Sequence, residues 1–371
     1  MSAWPALAQA VAAHGLEGRT LALPTAPVGP PAWAHLMAVA RHERITGLLL
    51  NAVLAGDLAV TPDQAEEAKL AHRASMATAL MLEATLIETA ATLGEAGIDL
   101  RVLKGPAVAH LDYPDPALRS FGDIDLLVRS SQFDDAVAAL VSAAHRRKFP
   151  EPRPGFDRRF SKGSCLVHPG GYEIDIHRTL AMGPYGLGLK VDDLWRRSSA
   201  FELAGLRFDA LGPAERFLHA CFHAVLGDNP PRLASLRDVA QMHLARPLDV
   251  DVVRRLSSSW GADAVVARAV TSAGDALGIE SDGPLNRWAA GFSPSRRDRR
   301  SLSVYSDVSA NYAAKSWAAV RAIPEVRDKA AFVFALALPK RRYLDQRRER
   351  PLRRWVRAAA QVLRVRRSAR R

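Results

Sequence analysis

The sequence predicts an α+β protein in which helical regions flank a small α/β core on both sides. Apolar residues recur at three- and four-residue spacing through two early stretches, a pattern typical of amphipathic helices. After Gly97 the pattern changes to short apolar runs that alternate with helical segments, as in α/β units. From Pro213 to about Trp288 the helical spacing returns, so we expect a second helical region there.

Length and composition set the expected organisation. The chain has 371 residues, of which 48% are hydrophobic, enough for a sizeable core and for two or three domains. We expect an N-terminal helical region over 1–98, the α/β core over 99–210, a C-terminal helical domain over 211–330 and a basic tail over 331–371.

The charge is concentrated at one end of the chain. The net charge is +12, and residues 340–371 hold 14 Lys and Arg against two acidic residues, so residues 1–339 sum to zero. The excess charge therefore characterises the tail and not the core. Arginine clusters with an interleaved Trp355 suit RNA or an anionic membrane surface, although a solvated tail has the same composition.

The remaining composition predicts a cytoplasmic protein. The two cysteines cannot form a disulfide framework and fit a reducing compartment. The N-terminus lacks the basic segment of a signal peptide, and the late apolar run Ala330 to Leu338 is shorter than the roughly 20 residues of a spanning helix.

The elements follow in order. Helices are expected from Pro31 to about Ala55 and from Pro62 to about Ala96, the second ended by Gly97. IDLRVLKG then predicts a short buried strand, PAVAHL a helix with Pro106 in its first turn, YPDPALRSFG a loop, DIDLLVR a strand and SQFDDAVAALVSAA a helix.

The second half of the core predicts two strand pairs. HRRKFPEPRPGFDRRFSKG is polar and rich in Pro and Arg, and we expect an exposed loop. SCLVHPGGYEIDIHR has two alternating runs around a Pro-Gly-Gly turn, which predicts a hairpin, and FELAGLRFDAL predicts another strand pair.

An aspartate pair opens the second core strand. Residues two apart in a strand share a face, about 6.6 Å apart, so Asp123 and Asp125 are expected to point the same way while Ile124 enters the core. Two carboxylates at that spacing repel each other unless a positive charge lies between them. A divalent metal would provide that charge, although an exposed strand start is the plainer alternative.

The predicted hairpin carries a matching pattern. GYEIDIHR alternates Glu173, Asp175 and His177 on one face with two isoleucines on the other. If this strand lies beside the first, Asp175 or Glu173 adds a third carboxylate to the same site. Three oxygen ligands on adjacent strands predict one or two Mg²⁺ ions suited to phosphoryl or nucleotidyl transfer.

These motifs carry a family resemblance. LKG, then DID eighteen residues later, then EIDIH about fifty residues on resembles the nucleotidyltransferase superfamily of DNA polymerase β. LKGPAVAHLDYPDPALRSFGDIDLLVR followed by EIDIHR is similar to the uncharacterised bacterial nucleotidyltransferase family, over about Val102 to Arg178, and more distantly to abortive-infection toxin nucleotidyltransferases. The resemblance implies a polymerase β-like core with a small mixed sheet.

The resemblance also implies roles for individual residues. Asp123 and Asp125 would bind the metal, Mg²⁺ or Mn²⁺, that holds the nucleoside triphosphate. Asp175 would bind a second metal and activate the acceptor hydroxyl. Lys104 and Gly105 would lie under the triphosphate, and Arg119 would pair with phosphate or with the carboxylates.

One departure from the superfamily concerns the glycine turn. The superfamily often has Gly-Ser or Gly-Gly there, whereas this chain has Gly105-Pro106, and proline offers no backbone N–H to phosphate. We therefore expect Lys104 to provide more of the positive charge.

Several histidines and charged residues have less specific interpretations. His177 could orient Asp175, touch substrate or serve the structure alone. His219 and His223 lie one helical turn apart, a spacing used by zinc ligands, but without a third ligand a helix-packing pair is favoured. Arg237 and Asp238 are expected to bridge helices, in a region that the resemblance places along the cleft.

The predicted activity is metal-dependent transfer of a nucleoside monophosphate from an NTP such as ATP to an acceptor hydroxyl, with release of pyrophosphate. A small-molecule acceptor is favoured because residues 1–339 are electroneutral. A modifying or toxin-like enzyme that acts on tRNA or protein is one alternative. An inactive module that binds a nucleotide or a partner is another.

Overall fold

The structure is a computed structural model that describes residues 4–228, 230–245, 247–306 and 312–346. The helices are α1 Ala6–Ala13, α2 Pro30–His42, α3 Thr46–Leu54, α4 Pro62–Glu95, α5 Lys104–Asp112, α6 Phe133–Ser142, α7 Phe156–Phe160, α8 Gly183–Leu187, α9 Pro213–Phe222, α10 Leu233–Leu244, α11 Val250–Ser259, α12 Asp263–Leu277, α13 Pro284–Gly291, α14 Arg296–Ser306, α15 Tyr312–Ala322, α16 Val326–Ala337 and α17 Arg341–Gln346. The strands are β1 Leu100–Val102, β2 Ile124–Val128, β3 Arg146–Arg147, β4 Gly163–Val167, β5 Glu173–His177, β6 Ser198–Leu203 and β7 Leu206–Leu211.

The strands form one mixed sheet. Within the described residues it has seven strands in the order β3-β4-β5-β2-β1-β7-β6. β1 runs parallel to β7, whereas β3 with β4, β4 with β5 and β6 with β7 are antiparallel pairs. This mixed sheet and the many helices confirm the α+β class and both predicted strand pairs.

Two compact units divide the chain. One unit comprises Met1–Glu88, Arg101–Asp125 and Leu194–Ser293, and the other comprises Thr89–Leu100, Leu126–Asp193 and Pro294–Arg371. The division falls inside β2, between Asp125 and Leu126.

Buried ion pairs and hydrogen bonds hold the first unit together. Arg216 binds both carboxylate oxygens of Asp112, at 2.6 and 2.8 Å, and both side chains are buried. Arg237 is 2% exposed and donates to the backbone carbonyls of Ala12 and His14 at 2.7 and 2.6 Å. The guanidinium thereby satisfies carbonyls near the end of α1, which packs against α10 and α12.

The predicted exposed loop between α6 and β4 was wrong. The stretch contains the short strand β3 and the helix α7, and Phe156 and Phe160 in α7 are buried. Their rings pack against Phe332 of α16 at centroid distances of 5.5 and 5.3 Å. The two phenylalanines lie one helical turn apart, and this spacing outweighed the surrounding Pro, Gly and Arg residues.

The prediction of one helix from Pro31 to about Ala55 was also wrong. The helix ends at His42 and a second begins at Thr46, with Arg44 at the break in a left-handed conformation (φ 59°). The neighbouring prediction from Pro62 to about Ala96 is confirmed as α4.

Helix α4 is long enough and apolar enough, by length and composition alone, to cross a membrane. About one third of its most apolar window is buried within the protein. Core helices of soluble proteins meet the same criterion, so this is weak evidence for a membrane span. The basic tail is described only as far as α17, and its remaining residues, 347–371, lie outside the described part of the chain.

Candidate active site

Two carboxylates and an imidazole converge from neighbouring strands of the sheet. Asp125 lies on β2, and Asp175 and His177 lie on β5. Each offers one ligand atom, and these atoms all lie within 4.8 Å of one another. Among the residues that the structure describes, this group could hold one metal ion. The group contains two of the three predicted carboxylates, Asp125 and Asp175. Its third member is His177 and not Asp123.

Asp125 is the most deeply buried member of the predicted aspartate pair. Every residue of β2 is buried, and the Asp125 side chain is 1% exposed. Its Oδ2 lies 2.9 Å from the Nζ of Lys104, whose side chain is 12% exposed. Because an isolated buried carboxylate is strongly disfavoured, the lysine stabilises the charge of Asp125.

Asp123 occupies a different environment. It precedes the first residue of β2, its side chain is 42% exposed, and its Oδ1 lies 4.0 Å from the Nη1 of Arg44. The metal-binding role predicted for Asp123 stays a prediction.

The two carboxylates of β5 have different partners, although their spacing predicts a shared face. Glu173 forms an ion pair with Lys148 and lies outside the group that could hold a metal. Asp175 pairs in register with Cys165 of β4, and burial together with the Asp175 carboxylate raises the pKa of that thiol. His177 is completely buried and lies opposite Gly163.

Gly163 allows β4 to approach β5 at the level of the site. A Cβ atom added at this position would lie 2.1 Å from the carbonyl oxygen of Ile176 and 2.9 Å from the Cα of His177. Because both contacts are with backbone, a side chain could not be accommodated without moving the strand. The glycine therefore helps to set the position of Asp175 and His177, which flank Ile176.

The first unit contains a cationic cavity beside Asp123. Its volume is about 220 Å³, and it is lined by Arg44, Lys104, Gly105, Arg119, Ser120, Asp123, His223, Asp228, Arg232, Ala234 and Ser235. The lining carries four Lys and Arg side chains against two aspartates, so it suits an anion.

The backbone at the cavity is unusual where α5 begins. Lys104 and Gly105 have positive φ angles of 27° and 38°, although only the second is a glycine. Leu103 donates a backbone hydrogen bond to the carbonyl of Asp125 at 2.8 Å, which connects this turn to β2. Lys104 and Gly105 thus line the cavity and are held to β2 by this hydrogen bond. Their predicted contact with the nucleotide stays a prediction.

Arg119 is fixed by a carboxylate other than the predicted ones. Its guanidinium donates to both oxygens of Asp238, the shortest distance being 2.7 Å, and Tyr113 donates to the same carboxylate at 2.9 Å. Burial opposes the charge of Arg119, but Asp238 outweighs this and the pKa of Arg119 is raised. Asp238 of α10 thus contacts the segment between α5 and β2 and not a second helix, and the phosphate contact predicted for Arg119 stays a prediction.

Seven residues of the cavity lining were not predicted as site residues from the sequence: Arg44, Ser120, His223, Asp228, Arg232, Ala234 and Ser235. The Nε2 of His223 lies 3.5 Å from the Oδ2 of Asp228, and Asp228 also accepts a hydrogen bond from Ser235. His219 is buried, whereas His223 lines the cavity. The only available signal for His223 was its spacing from His219, and Arg44 and Arg232 have no local motif.

The donor set fits a divalent cation. Carboxylate oxygens are the ligands that Mg²⁺ prefers, whereas an imidazole nitrogen is more typical of Mn²⁺ and later transition metals. Asp125, Asp175 and His177 therefore suit Mn²⁺ at least as well as Mg²⁺.

Acidic residues on neighbouring strands of a mixed sheet are compatible with metal-dependent phosphoryl or nucleotidyl transfer. Comparison with known families identifies the class: residues 29–278, well over half of the chain, match the family described as uncharacterised nucleotidyltransferase. The chain belongs to this family.

Similarity to individual proteins is weaker. No curated protein matches the chain. Among solved structures, the chain is similar to an antigenic nucleotidyltransferase-like protein from Paracoccidioides brasiliensis, with 15% identity and a TM-score of 0.29 over 56% of this chain and 92% of that one.

Proposed function

We propose that the protein transfers a nucleoside monophosphate from an NTP such as ATP to a hydroxyl group of an acceptor and releases pyrophosphate. The observation that carries the proposal is the convergence of Asp125, Asp175 and His177, in a chain of the nucleotidyltransferase family. A divalent cation held there, Mg²⁺ or Mn²⁺, would neutralise phosphate charge and lower the pKa of the acceptor hydroxyl.

The cavity supports a phosphate-binding role for Lys104, Gly105 and Arg119. At about 220 Å³ it is smaller than the roughly 300–1,000 Å³ of pockets that enclose a drug-sized ligand. Its size and positive charge suit the phosphates of a nucleotide better than a whole nucleotide. Cations placed there would stabilise the charge that develops on the leaving pyrophosphate.

The proposed step exchanges one phosphorus–oxygen bond for another. The acceptor oxygen forms a bond to the α-phosphorus as the bond between that phosphorus and the pyrophosphate oxygen breaks. The acceptor proton passes to Asp175 or to water. Asp175 would thus orient the acceptor, and Asp123 would bind the metal that holds the triphosphate.

A labelling experiment tests the activity. Full-length protein is incubated with each α-labelled NTP, Mg²⁺ or Mn²⁺ and cell extract, beside the double variant Asp125→Asn and Asp175→Asn. Glu173→Gln is the matched control, because Glu173 is a carboxylate of the same strand outside the group. We expect label transfer by the parent and the control but not by the double variant. Metal-dependent NTP binding without transfer would favour the inactive module, and neither binding nor transfer would refute the proposal.

The same reaction distinguishes the acceptor classes. We propose a small molecule, because residues 1–339 carry no net charge. Label that migrates as a small product after gel filtration supports this choice. Label on tRNA or on protein would support the modifying or toxin-like alternative.

We also propose that the C-terminal part of the chain contacts an anionic membrane surface from the cytoplasmic side. Helix α16 is apolar on two faces: Phe332 and Ala335 are buried, while Val326, Val333 and Phe334 are 78%, 49% and 50% exposed. Residues 340–371 then add a net charge of +12. An exposed apolar face next to a basic segment suits lipid better than RNA.

Vesicle binding separates the two partners. We expect the full-length protein to sediment with vesicles that contain anionic lipid but not with neutral vesicles. Val333→Glu with Phe334→Glu should abolish this binding, and Leu54→Glu, at an exposed apolar residue of α3, should not. RNA binding that is unaffected by the α16 variant, without vesicle binding, would contradict the membrane proposal.

A further inference from the structure

Two cations of the cavity are already paired with the aspartates predicted to bind metal. Lys104 lies 2.9 Å from Asp125, and Arg44 lies 4.0 Å from Asp123. Both cations line the cavity proposed for phosphate. Each therefore has two alternative partners, a carboxylate of this chain or a phosphate of the nucleotide.

We propose that Arg44 and Lys104 exchange partners when substrate binds, and that this exchange makes metal and nucleotide binding mutually dependent. Before binding, the two cations neutralise Asp123 and Asp125. After binding, the carboxylates hold the divalent cation and Arg44 and Lys104 hold phosphate oxygens. The inference rests on the proposed nucleotide-binding function and adds Arg44 to its residues.

Charge balance explains the dependence. A metal that binds alone displaces Arg44 and Lys104 from their carboxylates and leaves two cations next to a new positive charge. A triphosphate that binds alone draws the same cations away and leaves two carboxylates next to a new negative charge. When both bind, the carboxylates face the metal and the two cations face phosphate, so neither pair is left beside a like charge and each ligand raises the affinity for the other.

The local backbone is suited to Arg44 in this role. Arg44 lies at the break between α2 and α3, and its side chain is 41% exposed, so it has room to reorient. Gly122 leaves space for it, since a Cβ atom there would lie 2.7 Å from the Nη2 of Arg44.

Arg232 is the internal comparison. It precedes the first residue of α10, lines the same cavity and donates to the carbonyl of His42 at 3.4 Å. Its neutralisation should weaken nucleotide binding without changing metal binding in the absence of nucleotide. Neutralising Lys104 should change metal binding as well as nucleotide binding, because it also removes a positive charge next to Asp125.

The test measures binding of two ligands to the full-length protein by calorimetry at pH 8. One ligand is Mn²⁺ alone, and the other is an NTP analogue with a non-hydrolysable α–β bridge, with and without Mn²⁺. We expect Mn²⁺ to tighten analogue binding by at least about tenfold in the parent. Lys104→Met should tighten binding of Mn²⁺ alone by a fewfold and weaken analogue binding by about tenfold or more.

The controls keep the outcome interpretable. Arg232→Gln should weaken only analogue binding, and Arg255→Gln, on the exposed side of α11, should change neither. Lys104→Arg retains the positive charge, so both affinities should stay near those of the parent. Arg44→Gln should tighten binding of Mn²⁺ alone and weaken analogue binding, each by less than Lys104→Met does.

If Lys104→Met and Arg44→Gln weaken both ligands or leave Mn²⁺ affinity unchanged, the exchange is wrong, whether or not the enzyme transfers nucleotide. Conversely, opposite-sign shifts without any transfer would retain the exchange and refute the proposed activity.

Discussion

Two pairs of carboxylates, each two residues apart, lie at the start of β2 and on β5, but in each pair the two members have different surroundings. Asp123 and Asp125 belong to the first pair, and Glu173 and Asp175 to the second. In both pairs, one member joins the group with His177 and the other lies near a cation outside it.

The cations distinguish the two outer carboxylates. Arg44, next to Asp123, lines the cavity, whereas Lys148, next to Glu173, does not. We therefore expect Asp123, and not Glu173, to take part in substrate binding under the proposed exchange, since Glu173 and Lys148 form an ion pair away from the cavity lining. The two pairs have equal spacing in sequence, but the cation beside each outer carboxylate shows that their surroundings differ.

Displacing β5 should produce the largest effect. Gly163→Ala places a Cβ atom against the backbone of Ile176 and should shift Asp175 and His177 together. We expect a loss of about 1–3 kcal/mol in the free energy of unfolding and at least about a hundredfold loss in transfer rate. Denaturant melts and transfer kinetics measure the two effects.

Gly170→Ala is the control in the same hairpin. A Cβ atom at Gly170 would lie 3.1 Å from the Nδ1 of His168, a side-chain atom and not backbone, so stability and rate should change much less than in Gly163→Ala. Equal effects of the two substitutions would mean that the hairpin as a whole, and not the position of β5 at the site, limits activity.

Changing the imidazole should have an intermediate effect. His177→Gln replaces a nitrogen ligand with an amide oxygen, and loss of one ligand from the group should weaken Mn²⁺ binding by about 10- to 100-fold. Because the nitrogen favours Mn²⁺ over Mg²⁺, the ratio of the two affinities should also fall. Calorimetric titration with each ion gives both quantities, and an unchanged ratio would show that His177 does not bind the metal.

Removing the outer ion pair of β5 should have the smallest effect. Glu173→Gln and Lys148→Gln each break an exposed ion pair, and such pairs contribute little to stability because solvent screens them. Transfer rates should stay within about twofold of the parent. Asp123→Asn, the equivalent change on β2, should reduce the rate by clearly more, and equal rates for the two variants would erase the difference between the strands.

Local sequence patterns predicted the strands that carry the site. DIDLLVR and EIDIH have the two-residue period of strands, and Pro169-Gly170-Gly171 marks the turn between β4 and β5. Family resemblance then predicted that the strands of Asp125 and Asp175 would be neighbours, which the strand order confirms.

Features that depend on distant residues could not be predicted in this way. Nothing adjacent to Arg44 marks a helix break, since neither glycine nor proline lies between His42 and Thr46. Likewise, spacing alone cannot reveal that Asp125 is buried with Lys104 whereas Asp123 remains half-exposed. Such differences arise from packing between segments far apart in the chain.

The walls of the cavity have a consequence for how this protein can be divided or recombined. Its cations come from residues 44, 104, 119 and 232, so the stretch that carries the recognisable motifs holds only part of the lining. A fragment limited to residues 99–210 would lack Arg44 and Arg232. If the cavity binds phosphate as proposed, exchanging the helical segments before and after the motifs should alter nucleotide affinity even with every aspartate retained.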